Sequence, residues 1–226
     1  MARDDRARTK VGHDGGSRME NAATALVERI VDAGIDGIGP LEPASVVADQ
    51  ARGRHSGLDD AIDDLVTGHS KLAAAGGFVT GLGGFATLPV AMPANVVGFY
   101  GIATRMVAGI AHLRGYDVSR PEVRTAVLLT LVGADSKNLL QRSGFSPMGR
   151  ITDLALGRLP GPALMVLNKA IGFRLMSQAG RKSLSRLGRG VPLAGGLVGG
   201  GADWWLLRKI ADSARREFPQ RSAIEA

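Results

Sequence analysis

The chain has 226 residues, no cysteine, 32 glycines and a net charge of +7. Zero cysteine excludes disulfides, thiolate metal sites and a cysteine nucleophile. A hydrophobic share of 45% argues against wholesale disorder. Glycine stands at about twice its usual ~7% with no Gly-X-Y period, so collagen is excluded and the excess asks for another explanation.

The N-terminus is charged and has no apolar core segment, so it does not read as a secretory signal. Residues 1–17 read as a disordered arm. The charge along the chain is uneven. Residues 21–68 sum to −6 and residues 136–202 to +9, with Asp153 the single acid in the latter block. Such a block attracts nucleic acid or an anionic membrane surface, or pairs with the acidic third. Nucleic acid is the weakest of the three, because aromatic interleaving and helix-turn-helix or zinc patterns are missing.

In chain order, Ser17 and Glu20 form a capping box that predicts a helix over 18–33 with Gly34 as its stop. Pro43 opens a short helix ending near Gly53. A helix follows over 58–75, with Leu58, Ile62, Leu65, Val66 and Leu72 on its apolar side. Residues 72–104 carry no charge at all, a run of 33. Pro89 and Pro93 break this run below the ~20 residues of a membrane span. It reads as a helical hairpin with a proline turn, buried in protein or dipping into one leaflet.

Pro93 starts the next predicted helix, over 93–114. On it Asn95, Gly98, Ile102, Arg105, Gly109 and His112 share one stripe, where glycine allows close backbone approach and Arg105 needs a partner if buried. Ser119, Pro121 and Glu122 open a helix from Val123 to Gly133 that is apolar nearly all round, and so should be the most buried. A basic amphipathic helix over 163–187 carries Lys169, Arg174, Arg181, Lys182 and Arg186, with Arg189 just beyond. Its pattern suits anionic lipid or a solvated face. The last uncharged run, 190–202, holds the small-xxx-small pairs Gly195–Gly199 and Gly196–Gly200. Asp203 and the interface-favouring pair Trp204 and Trp205 follow. The closing helix ends near Phe218. With no strand signal, the fold class is all-α: a compact helical bundle with Gly-rich apolar hairpins over 18–218, and a flexible tail at 219–226.

Motifs for chemistry are few. The G-x-G-x-x-A match at 81–86 lacks a preceding strand and an acid ~20 residues on, so it is not a dinucleotide fingerprint. The Gly-Arg-Lys-Ser at 180–183 lacks the form of a P-loop. The segment 144–148 misses G-x-S-x-G at its last position. His13, His55, His69 and His112 give no zinc frame, and neither metal nor cofactor is expected. Arg105, His112, Asp117 and Asp203 are the only polar candidates for an unrecognised active site.

The block 77–117, with its G-x-x-T-G-x-G-G segment, Leu-Pro-x-x-x-Pro and Arg-containing helix ending in Gly-Tyr-Asp, resembles the core signature of the EcsC family of bacterial proteins. Residues 131–133 and 167–205 are similar to its later blocks, so the resemblance covers about 20–218. It points to Gly81, Gly83, Gly84, Pro89, Pro93, Arg105, Gly115, Tyr116, Asp117 and Asp203, with Gly77 beside them. What it implies is a hydrophobic, membrane-associated protein without an established reaction, whose founding member is encoded beside an ABC transporter. The expectation is a non-enzymatic helical protein, peripheral or shallowly inserted at the inner face of the cell membrane. Its partners would be anionic lipid and a membrane protein of a transport or secretion system. The alternative is a soluble helical module that holds a hydrophobic ligand or protein partner between glycine-lined helices.

Overall fold

The computed structural model describes residues 25, 27, 29–39, 41–82, 88–132, 141 and 192–221. All regular elements among them are helices: α1, a wide π-helical turn over Asp32–Asp36, then α2 (Ala44–Arg54), α3 (Leu58–Leu82), α4 (Leu88–Leu113), α5 (Pro121–Val132) and α6 (Pro192–Glu217). The basic helix expected over 163–187 lies outside the described residues, as do the N-terminal arm, Gly83 and Gly84.

The chain continues past the expected stop at Gly34 and ends α1 at Gly37, which has a φ of 81°. Gly34 has a different task. A Cβ there would lie 2.6 Å from Thr104 Cβ and 2.9 Å from the Gly101 carbonyl, so only glycine lets α1 sit on α4 this closely. On α2 the buried residues Ala44, Ala48 and Ala51 form a small-residue stripe. It meets α4 at Gly109, where a Cβ would lie 3.6 Å from both the Ala44 carbonyl and Ala48 Cβ.

The longest contact in the bundle is the antiparallel pair α3–α6. Both helices run through glycine-rich sequence that sequence reading leaves at or beyond a helix boundary. α3 reaches Leu82 instead of ending near 75, and α6 begins at Pro192 and takes in the whole glycine run. Each interior glycine costs a helix ~1 kcal/mol relative to alanine. The return is backbone contact: a Cβ at Gly199 would sit 2.6 Å from the Gly77 carbonyl, and one at Gly200 2.7 Å from the Ala74 carbonyl.

The hairpin turn is not at the prolines. α3 ends at Leu82 and α4 begins at Leu88, so both prolines lie inside α4 and neither forms a turn. Pro89 falls in the first turn of α4, where its missing N–H is an orphan in any case. Pro93 sits one turn further in and removes one helical hydrogen bond. α4 therefore starts five residues before the expected position. Leu72, expected on the apolar side of α3, is 48% exposed. Gly76 on α3 and Gly98 on α4 are exposed too, and a Cβ at either would meet nothing within 4 Å.

α5 is buried over Val123 and Thr125–Val132, as its all-round apolar sequence requires. Its Arg124 donates to both Asp36 carboxylate oxygens at 2.5 and 2.8 Å and ties α5 to α1. Ser119 does not cap this helix. It gives its N–H and hydroxyl to Asp117 Oδ1, and α5 opens at Pro121. The core is centred on Ile30, Ile62, Met106, Ile110, Leu128, Leu129, Leu207 and Phe218, all fully buried.

Candidate functional site

The Gly-Tyr-Asp segment after α4 is a structural joint. Gly115, at φ 86°, is the left-handed stop of α4, with Gly115 N–H bonding the His112 carbonyl and Tyr116 N–H the Ala111 carbonyl. Tyr116 is buried edge-on against Phe218, with ring centroids 5.3 Å apart, and Arg221 lies over its face. Asp117 accepts both bonds from Ser119, chiefly its hydroxyl, and these hold its carboxyl below the usual carboxylate range. Arg114 donates to the Arg215 and Phe218 carbonyls and so caps the end of α6.

The polar candidates do not form one constellation. His112 Nε2 pairs with Asp49 on α2 at 2.8 Å. Asp117 serves its own turn. Asp203 is buried where α6 crosses α3, with its carboxylate against Gly77 and its charge felt by Tyr100. Tyr100 and His112 are twelve residues apart on one helix, about 18 Å. Arg105 is half-buried near Glu42 and His69, and its Nε finds no partner among the described residues. Burial draws its guanidinium below the usual range and Glu42 opposes this. Asn95, Pro89, Pro93 and Gly81 lie in α4 and α3 and Gly195 in α6, but their side chains or surroundings fall outside the described residues. Lys169, Arg174, Arg181, Lys182, Arg186 and Arg189 fall outside them as well.

Three buried polar residues escape the sequence reading. His69 donates its Nδ1–H to the Leu65 carbonyl, 2.8 Å away. Burial, first, holds its pKa below the ordinary histidine value, and the nearby Arg105 charge adds to this. Ser70 and Thr104 are also buried, with hydroxyl oxygens unpaired among the described residues. His69 was legible in principle, since it continues the Ile62–Leu65–Val66 face at helical spacing.

Residues 17–222 match the model of the EcsC protein family, nearly the whole chain. The chain belongs to the EcsC family. No curated protein and no solved structure matches it significantly. Within this EcsC chain, Gly77, Asp203, Gly115, Tyr116 and Asp117 stand at helix crossings and helix ends, which are roles of construction.

The feature left over is the end of the bundle away from that joint. There the tips of α3 and α6 expose Val79 at 66%, Leu197 at 70%, Val198 at 45%, Trp204 at 42% and Trp205 at 59%. Gly196 packs on Phe78, and Gly199 and Gly200 on the α3 backbone, so the two tips form one close-packed unit. No helix among the described residues is long and apolar enough to cross a membrane. At the opposite end, Asp49, Asp59, Asp60 and Asp63 are exposed.

Proposed function

We propose that this EcsC protein is a non-enzymatic helical protein that associates with the inner face of the cell membrane through the apolar tip of α3 and α6. The observation that carries this reading is the contiguous run of exposed apolar side chains at that tip, closed by two exposed tryptophans. Exposed apolar patches of this kind mark interaction surfaces, and tryptophan favours the membrane–water boundary. The basic third of the sequence supports an anionic surface as the target, at ~1 kcal/mol per nearby base. Vesicle flotation of the full chain tests it. Binding is expected to vesicles containing anionic lipid, and weaker binding to neutral ones. Absence of binding to both overturns the reading. A membrane-transport or secretion system is the proposed setting, on family resemblance alone.

A second reading keeps one observation in its favour. Leu72 and Gly76 on α3 and Gly98 on α4 are exposed, and Arg105 and His69 lie near one another below them on the same two helices. A hydrophobic ligand with an anionic head would fit between them, its head at Arg105. Native mass spectrometry of the purified protein tests this, and a mass equal to the bare chain counts against it.

A further inference from the structure

The exposed surface of the tip changes character at one level. Past Lys71, every described exposed residue of α3 is apolar: Leu72, Ala75, Gly76 and Val79. The same holds on α6 from Leu197 up to Arg208. The register of the antiparallel pair is fixed by Thr67 opposite Arg208, Ala74 opposite Gly200 and Phe78 opposite Gly196, which sets Lys71 level with Trp204. The first charge of α4, Arg105, comes at about the level of His69. All three helices thus become charged near one plane.

That plane has the composition of a membrane interface. The Arg208 guanidinium lies 4.8 Å from the Trp204 ring centroid, and Lys209 Nζ lies 5.0 Å from that of Trp205. From Lys71 to the end of α3 at Leu82 is eleven residues, about 16 Å of helix. One leaflet of hydrocarbon is about 15 Å, half of the ~30 Å core. The interior turns of each helix keep their backbone groups bonded along the helix, as a hydrocarbon environment requires, and only the last carbonyls of α3 and the first amides of α6 need other partners. The glycine contacts bring the two backbones together, and the Asp203 carboxylate is buried between them against Gly77, away from the tip's exposed surface. The exposed acids Asp49, Asp59 and Asp63 lie at the far end, where they pair with His112, Arg114 and Arg215, so none of them faces the surface that the tip would enter.

We infer that the tip enters a single leaflet of an anionic phospholipid bilayer end-on. Trp204 and Trp205 stop at the headgroup–acyl boundary, and Lys71, Arg208 and Lys209 meet the lipid phosphates. This rests on the membrane reading above and adds the site, the orientation and the depth.

The chain has only 2 tryptophans, and both lie in this plane, so intrinsic fluorescence reports on the site without a label. The full chain is mixed with phosphatidylcholine/phosphatidylglycerol vesicles whose acyl chains carry bromine either near the headgroup or near the bilayer centre. The expected result is a blue-shifted emission, quenched more by the shallow bromines than by the deep ones. The double variant Arg208→Gln, Lys209→Gln should lower partition into these vesicles by about thirtyfold. Circular dichroism checks that both proteins are folded. Vesicle binding with unmoved tryptophan emission overturns the inference and leaves the membrane reading to the basic stretch around Lys169–Arg189. Stronger quenching by the deep bromines overturns the depth. No vesicle binding at all overturns both.

Discussion

Replacing Gly199 by alanine isolates the contact on which the tip depends. The new Cβ would lie 2.6 Å from the Gly77 carbonyl oxygen, while an ordinary contact is 3.4–4 Å. The two helices must separate by about 1 Å, or the backbone must tilt. Overpacking of this kind costs ~1–3 kcal/mol. Alanine also improves helix propensity over glycine by up to ~1 kcal/mol. Gly201 supplies the control, because it is two residues away on the same helix and its Cβ would meet nothing within 4 Å. The propensity gain is common to both and cancels in the difference. Gly201→Ala should therefore stabilise by about 0.5–1 kcal/mol, and Gly199→Ala should fall below it by about 1–3 kcal/mol. Gly200→Ala should behave like Gly199→Ala. Urea denaturation followed by far-ultraviolet circular dichroism measures all three. Equal stabilisation at 199, 200 and 201 would refute the close crossing of α3 and α6.

Three further outcomes follow from the geometry. His69 is held neutral below its ordinary pKa, so as pH falls through about 6.5 the unfolded chain takes up a proton that the native chain refuses. Stability should fall as pH drops from there, by at most ~1.4 kcal/mol per pH unit from this group, and His69→Gln should flatten that slope in denaturation measured from pH 7.5 to 5. Arg114→Met strips the donor from the Arg215 and Phe218 carbonyls and should cost about 1.5–3 kcal/mol, read by thermal melting. Burial, with the Asp203 charge adding to it, pushes the Tyr100 phenol up to about 12. In a Tyr116→Phe background, ultraviolet titration should show no tyrosinate near pH 10, and ionisation there would contradict the burial.

The parts of this fold that the sequence makes legible are those set by local chemistry. Pro43 marks the start of α2 and Pro121 that of α5, and the all-round apolar run of α5 announces its burial. Glycine is where sequence reading fails, because its meaning depends on what approaches it. Gly34 and Gly37 are three residues apart, yet Gly34 clears space for Thr104 while Gly37 supplies a positive φ. Gly77, Gly199 and Gly200 look like helix breakers until the partner helix is in place. Leu72 misleads for a related reason: periodicity gives its face, but whether a neighbour covers that face depends on the packing, which leaves Leu72 48% exposed. At the candidate site, Trp204 and Trp205 are legible from composition, and the uncharged runs are plain. That Lys71, Arg105 and Arg208 lie near one plane requires the antiparallel register, which no single segment contains. Heptad spacing likewise aligns Arg105 and His112 on a stripe without showing that His112 turns to Asp49.

The claim that the apolar tip holds this protein on a membrane is tested most directly by flotation of a tip variant against a matched control. Val79→Glu with Leu197→Glu places two carboxylates on the tip at positions 66% and 70% exposed, where folding does not depend on them. Val46→Glu makes the same change at a 39% exposed site on α2, away from the tip. With vesicles containing phosphatidylglycerol, the tip variant should stay at the bottom of the gradient, while the control floats with the unaltered protein. Flotation of the tip variant to the same fraction as the control would contradict the claim.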